Sequence, residues 1–166
     1  MELEDTHVDE FEKMLHEAIE RYRGVLEELA EVIALVVYLT LEQVRSIHHA
    51  MIRAIEGERE SCLHPGIYES LLVGCLDRPQ TNIRGYMPYP DIFLKAASLI
   101  ECIIRTNAFI DGSKRTGFLA CDLFLEKNGY FIDPKAQITS FLLDIAQNNV
   151  DLKEIADWLQ ANALQK

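Results

Sequence analysis

Asp111, Lys114 and Arg115 fall close together in the stretch NAFIDGSKRTGFLACDLFL, which runs from Asn107 to Leu125. Gly112 and the apolar run from Phe118 to Leu125 place the two cations in the first turn of a helix that begins near Ser113. A helix start already carries roughly half a positive charge, so acids are favoured there and bases at the opposite end. Each cation therefore costs about 0.3–1 kcal/mol against the dipole while it stands alone, and the sign reverses once a phosphate pairs with both. The outward-pointing N–H groups of a helix start add donors to the same place. The pattern reads as an anion site. The competing reading is that both side chains point into solvent or pair with Asp111, an exposed pairing worth little.

The elements that must hold this stretch follow from periodicity and caps. Asp91 caps a helix reaching about Thr106, with Ile92, Ala96, Leu99, Ile100, Ile103 and Ile104 as its inner side. The helix from Ser113 to about Asn128 is apolar nearly all round, which predicts a position in the middle of a bundle. Upstream, Thr40 and Gln43 form a capping-box pattern that opens a helix over about 41–56, with VVYL before it as an extended linker. A further helix spans about 67–77, and RPQTNIRGYMPYP then reads as a loop. Gly129 stops the central helix, Asp133-Pro134 predicts a restart with Pro at the first helical position, and Asp151 with Glu154 opens the last helix, docked by Ile155, Trp158 and Leu159.

At 166 residues the chain is long enough for one sizeable core. No apolar run approaches the roughly 18 residues of a membrane span, and the start lacks a leader pattern, so a cytoplasmic protein is expected. Four unevenly spaced cysteines without CxxC argue against a disulfide framework or zinc and for small core residues. The net charge of −11 is concentrated at the start: residues 1–31 hold eleven acids against Lys13, Arg21 and Arg23. No basic stripe exists, which excludes direct nucleic-acid binding by phosphate neutralisation.

The segment AFIDGSKRTGFLACDLFLEKNGY resembles the Fic/Doc family, whose motif runs His-x-Phe-x-Asp-Gly-Asn-Lys/Gly-Arg, and within it the death-on-curing (Doc) branch, in which Lys-Arg-Thr follows. The similarity extends through YLTLEQVRSIHHAMI, DRPQ, YPDIFLKAASLIECII and DLKEIADWL, about residues 37–160. The resemblance implies an all-α, single-domain helical bundle and a loop that binds the phosphates of ATP or another nucleotide with Mg2+. It implies transfer of phosphate or AMP to a protein hydroxyl, with a translation factor as substrate and an antitoxin as partner. Carried over by position, Phe109 anchors the loop and Asp111 holds magnesium or orients the phosphate. Gly112 and Ser113 supply N–H groups, and Lys114 and Arg115 clamp the phosphates. Arg78 and Tyr86 would face the target protein.

Two motif positions differ. Asn107 stands where the family has its catalytic His, and Ser113 where it has Asn. An amide cannot accept and release a proton near neutral pH, so general-base catalysis worth roughly 10²–10⁴-fold should be missing. His48 and His49 fall on the helix over 41–56 and His64 in the loop after it; nothing in the sequence places any of them beside Asn107, and they read as partly buried or surface residues. Two domains are expected: an acidic amphipathic helix over residues 1–36 and the Fic/Doc-like domain over 37–166. The stripe of the first either packs on the bundle or forms a homodimer seam, or the arm inhibits the cationic loop in cis. The alternative to an enzyme is a noncatalytic interaction module that keeps the fold.

Overall fold

The computed structural model describes residues 35–56 and 67–166. The expected N-terminal helix over residues 1–36, apart from Leu35 and Val36, and His64 lie outside them. Six helices account for most of the described chain: α1 (Leu41–Glu56), α2 (Ile67–Asp77), α3 (Ile92–Thr106), α4 (Ser113–Lys127), α5 (Ile138–Ala146) and α6 (Leu152–Asn162). The fold is all-α, as expected, with one small addition: β1 (Tyr130–Ile132) pairs antiparallel with β2 (Ala163–Gln165), Phe131 opposite Leu164.

The caps read from sequence form as anticipated, because each is closed by residues two or three apart. Thr40 and Gln43 exchange backbone-to-side-chain bonds of 3.0 and 3.3 Å. Asp91 accepts from the N–H groups of Phe93 and Leu94 at 3.0 and 2.9 Å, and Asp151 and Glu154 complete a second capping box. Ahead of α1, residues 36–39 belong to no helix or strand, and Asn128 clips them by accepting from Val37 N–H and donating to its carbonyl.

The most enclosed helix is α3, not α4. Nine α3 residues from Lys95 to Ile104 are buried, including Ala96, Leu99, Ile100, Ile103 and Ile104. Helix α4 buries Thr116, Gly117, Ala120, Cys121, Phe124 and Leu125 but leaves Leu119 40% exposed, so its apolar circumference exceeds what the bundle covers. Gly117 lets the two helices approach closely: a Cβ there would stand 3.0 Å from Ile104. Asp133-Pro134 starts a turn rather than a helix, and α5 begins at Ile138 without a side-chain cap. The short strand before it is fixed from outside, by β2 and by Asp122, which accepts from Ile132 N–H at 3.0 Å.

The cysteine reading needs correction. Cys75 of α2 and Cys102 of α3 are joined in a disulfide, their Cα atoms 5.3 Å apart, while Cys121 is a free, buried thiol. Packing of α2 against α3 creates this pairing, and it has no signature in cysteine spacing.

Candidate functional site

The end of α3 and the start of α4 are joined by residues 107–112, and every side chain there has a definite direction. Asn107 terminates α3 in the left-handed region, φ 49° and ψ 52°, its N–H bonded to the Ile104 carbonyl. Asn tolerates that conformation better than most non-glycine residues, so it is a sound helix stop. Ala108 and Phe109 turn into the core, with 0% and 1% exposure, and Ile110 and Asp111 turn outward. Burial of Phe109 is worth about 1.5–3 kcal/mol and draws the loop down onto the bundle. Gly112, at φ 80°, lies so close to α1 that a Cβ would stand 2.5 Å from Met51 Cε.

Above the loop lies a cleft of about 220 Å³ lined by Asn107 and residues 109–115. The expected site residues Asn107, Phe109, Asp111, Gly112, Ser113, Lys114 and Arg115 thus gather around one concavity. No side chain caps α4. The N–H groups of Ser113, Lys114 and Arg115 have no acceptor among the described residues, as the first turn of an uncapped helix requires. The Gly112 N–H is directed instead to the Asp111 carboxylate at 2.8 Å.

The cations behave differently from each other. Arg115 reaches Asp111 at 3.7 Å, with both side chains about half exposed, a weak and solvent-screened pair. Lys114 is exposed and has no ion-pair partner among the described residues. Ser113 is buried and turned inward: its hydroxyl donates to the Phe109 carbonyl at 3.0 Å and accepts from the Phe109 N–H at 3.2 Å. Its hydroxyl therefore closes the loop and does not face the cleft, so only its N–H is offered there. Among the described residues no group of three or more His, Cys, Asp or Glu gathers. A divalent cation at this site would rest on the Asp111 carboxylate together with oxygens of its own ligand, which is how magnesium is usually held.

Beneath the loop the structure reveals what sequence reading missed. His48 is fully buried and stacks on Phe109, ring centroids 4.1 Å apart and planes 17° from parallel. Its Nδ1 lies 3.0 Å from Thr116 Oγ1, and its Nε2 has no hydrogen-bond partner among the described residues. Burial lowers its pKa from 6.5 to about 4; His49 pushes the same way and Asp111 opposes. The ring is neutral at pH 7 and cannot replace an exposed base beside Asn107. An unpaired buried polar atom costs about 1–3 kcal/mol, so His48 is an expensive way to fill a core position. The signal available in sequence was register: Val44, His48 and Ile52 recur at spacing four on the buried side of α1.

Arg78, expected to face a target, points inward. Its Nε donates to the Tyr89 hydroxyl at 2.9 Å and its Nη2 to buried Glu101 at 2.7 Å, while Arg105 holds the other Glu101 oxygen at 2.6 Å. Burial works against the Arg78 charge, but Tyr89 and Glu101 outweigh it and raise its pKa. Buried Lys95 adds a bond to the Pro79 carbonyl at 2.9 Å. These bonds pin the base of a small hairpin whose Ile83–Tyr86 bridge encloses Arg84 and Gly85, both at positive φ. Tyr86, on that hairpin, is 68% exposed.

No described helix is long and apolar enough to cross a membrane. Residues 38–125 match the model of the Fic/DOC family. The chain is 33% identical over 89 residues to a protein named Toxin Doc from Mycolicibacterium smegmatis, an alignment covering 52% of this chain and 68% of that one. It is 24% identical over 123 residues to a protein named Protein kinase doc from Escherichia phage P1, covering 74% of this chain and 93% of that one.

Proposed function

The chain belongs to the Fic/DOC family, and from that premise we propose that it is a Doc-like toxin of a toxin–antitoxin pair whose loop at 107–115 binds the phosphates of ATP or another nucleotide. The observation that carries the reading is the start of α4: three N–H groups without an acceptor, beside a Lys114 without an ion-pair partner, among the described residues. Donors so arranged are complementary to an oxyanion, and a phosphate can engage several of them at once. Arg115 exchanges its weak contact with Asp111 for a phosphate oxygen, a stronger and better-aimed pair. Asp111 is then the carboxylate for Mg2+, whose chemistry when bound is to neutralise phosphate charge.

The reaction proposed is transfer of phosphate or AMP to a hydroxyl of a protein such as a translation factor, with a protein antitoxin as the chain's own partner. The phage relative, named as a protein kinase, favours the phosphoryl group. In such a transfer the hydroxyl oxygen bonds to phosphorus as the bond to the leaving phosphate breaks, and the hydroxyl proton has to pass to a base. Asn107 lines the cleft at the position where the family motif has His, and its amide accepts no proton. The nucleotide is therefore held while transfer is slow. Asn107 also favours a second reading, a noncatalytic module that keeps the fold to bind another protein.

Calorimetric titration with ATP and Mg2+ separates the two. Binding on the order of micromolar that disappears when Lys114→Ala is combined with Arg115→Ala is the expected result. Absence of binding by the unaltered chain leaves the noncatalytic module.

A further inference from the structure

The buried imidazole under the loop calls for a role of its own. His48 belongs to α1, far from the loop in sequence, yet it meets the loop at two points and the helix after it at a third. Its ring stacks on Phe109 at the loop's start. Its Cε1 would lie 3.7 Å from a Cβ placed on Gly112 at the loop's end. Its Nδ1 is paired with Thr116, one turn into α4, across 68 residues of sequence. An aliphatic side chain would fill the same space without burying an Nε2 that lacks a partner among the described residues. What an aliphatic side chain would not supply is the flat face for Phe109 together with a directed bond to Thr116.

We infer that His48 is a positioning residue of the anion loop, fixing Phe109, Gly112 and the first turns of α4 in one register so that the N–H groups of 113–115 converge. The bond to Thr116 sets the rotation of α4 about its own axis, and the stack sets the depth of the loop. A shift of about 1 Å in either would separate donors that must act on the same anion. The inference rests on the reading of this loop as a phosphate site, but the order of the loop is measurable without any ligand.

The test is amide hydrogen exchange over residues 108–116 in the full chain, combined with affinity for ATP and Mg2+. Two pairs of variants divide the contacts. His48→Phe keeps a ring against Phe109 and removes the bond; His48→Asn keeps a polar partner for Thr116 and removes the stack. Thr116→Val removes the hydroxyl from the other side with little change of shape, and Thr116→Ser restores it. Exchange over 108–116 should quicken by about tenfold or more in His48→Phe and Thr116→Val, with residues 152–162 unchanged and Thr116→Ser close to the unaltered chain. ATP affinity should fall by about tenfold in the same two variants. Ile145→Val, buried in α5, controls for lost stability and should bind ATP as the unaltered chain does. Exchange over 108–116 that stays unchanged in Thr116→Val, or that rises equally throughout the chain, overturns the role of His48. Failure of the unaltered chain to bind ATP overturns the nucleotide reading instead, and the exchange result still decides whether His48 orders the loop.

Discussion

The imidazole of His48 and the ring of Phe109 lie nearly parallel at 4.1 Å, so the residue that sinks the loop into the core rests on a group able to carry charge. The neutrality of that group is part of the fold's stability.

Acid should expose this dependence. The folded pKa of His48 is about 4 and its ordinary value 6.5, so on acidification the unfolded chain takes up the proton first. The contribution is present in full above about pH 6.5, declines as pH falls, and is gone below about pH 4, a total of about 3 kcal/mol. Urea unfolding at pH 7 and pH 4.5 measures it. His48→Phe should remove most of the difference between the two pH values, carboxylates supplying what is left.

Phe109→Ala should destabilise the chain by about 3–5 kcal/mol, since it deletes a buried aromatic ring and strips one face from His48. Urea midpoints read the change, and a loss below about 1 kcal/mol would mean that the loop is not anchored there.

Gly112→Ala meets two obstacles: a φ of 80° and Met51 Cε at 2.5 Å from the new methyl. The Met side chain is flexible and can move aside, so the backbone conformation is the lasting penalty, at about 1 kcal/mol or more. Combining it with Met51→Ala should recover only the steric part, which a double-mutant cycle measures.

Asn107→His should raise transfer of labelled phosphate or AMP to protein by about 10²–10⁴-fold and arrest growth on expression. Stability should hardly change, because His also tolerates the left-handed conformation at 107. No gain in transfer would mean that position 107 does not supply the base.

Glu101→Gln should cost about 2–3 kcal/mol, because Arg78 and Arg105 both lose a charged acceptor. The exposed end of the hairpin, near Tyr86, should also show faster amide exchange, since Arg78 ties its base to α3.

What could be read from sequence was local. Thr40 with Gln43, Asp91, and Asp151 with Glu154 are each closed within three residues, so their chemistry is visible in a short window. The loop was legible for the same reason: the conflict between Lys114, Arg115 and a helix start is a matter of adjacent residues. His48 was not, because its partner Thr116 is 68 residues away: its register with Val44 and Ile52 marks the buried side of α1 but not what the ring meets there. The Cys75–Cys102 pair and the β1–β2 ribbon depend equally on which elements meet. Arg78 was misread for a related reason. A charged residue in a loop suggests an outside partner, and only the fold reveals Glu101 waiting inside.

The paired bonds between the Ser113 hydroxyl and the Phe109 backbone determine what kind of selectivity this loop can have. A segment closed on itself in this way keeps its donor directions whatever approaches. Holding the anion proposed above, it would sort by shape: a tetrahedral oxyanion presents oxygens along several fixed N–H vectors at once, whereas a planar carboxylate or a spherical halide satisfies only some of them.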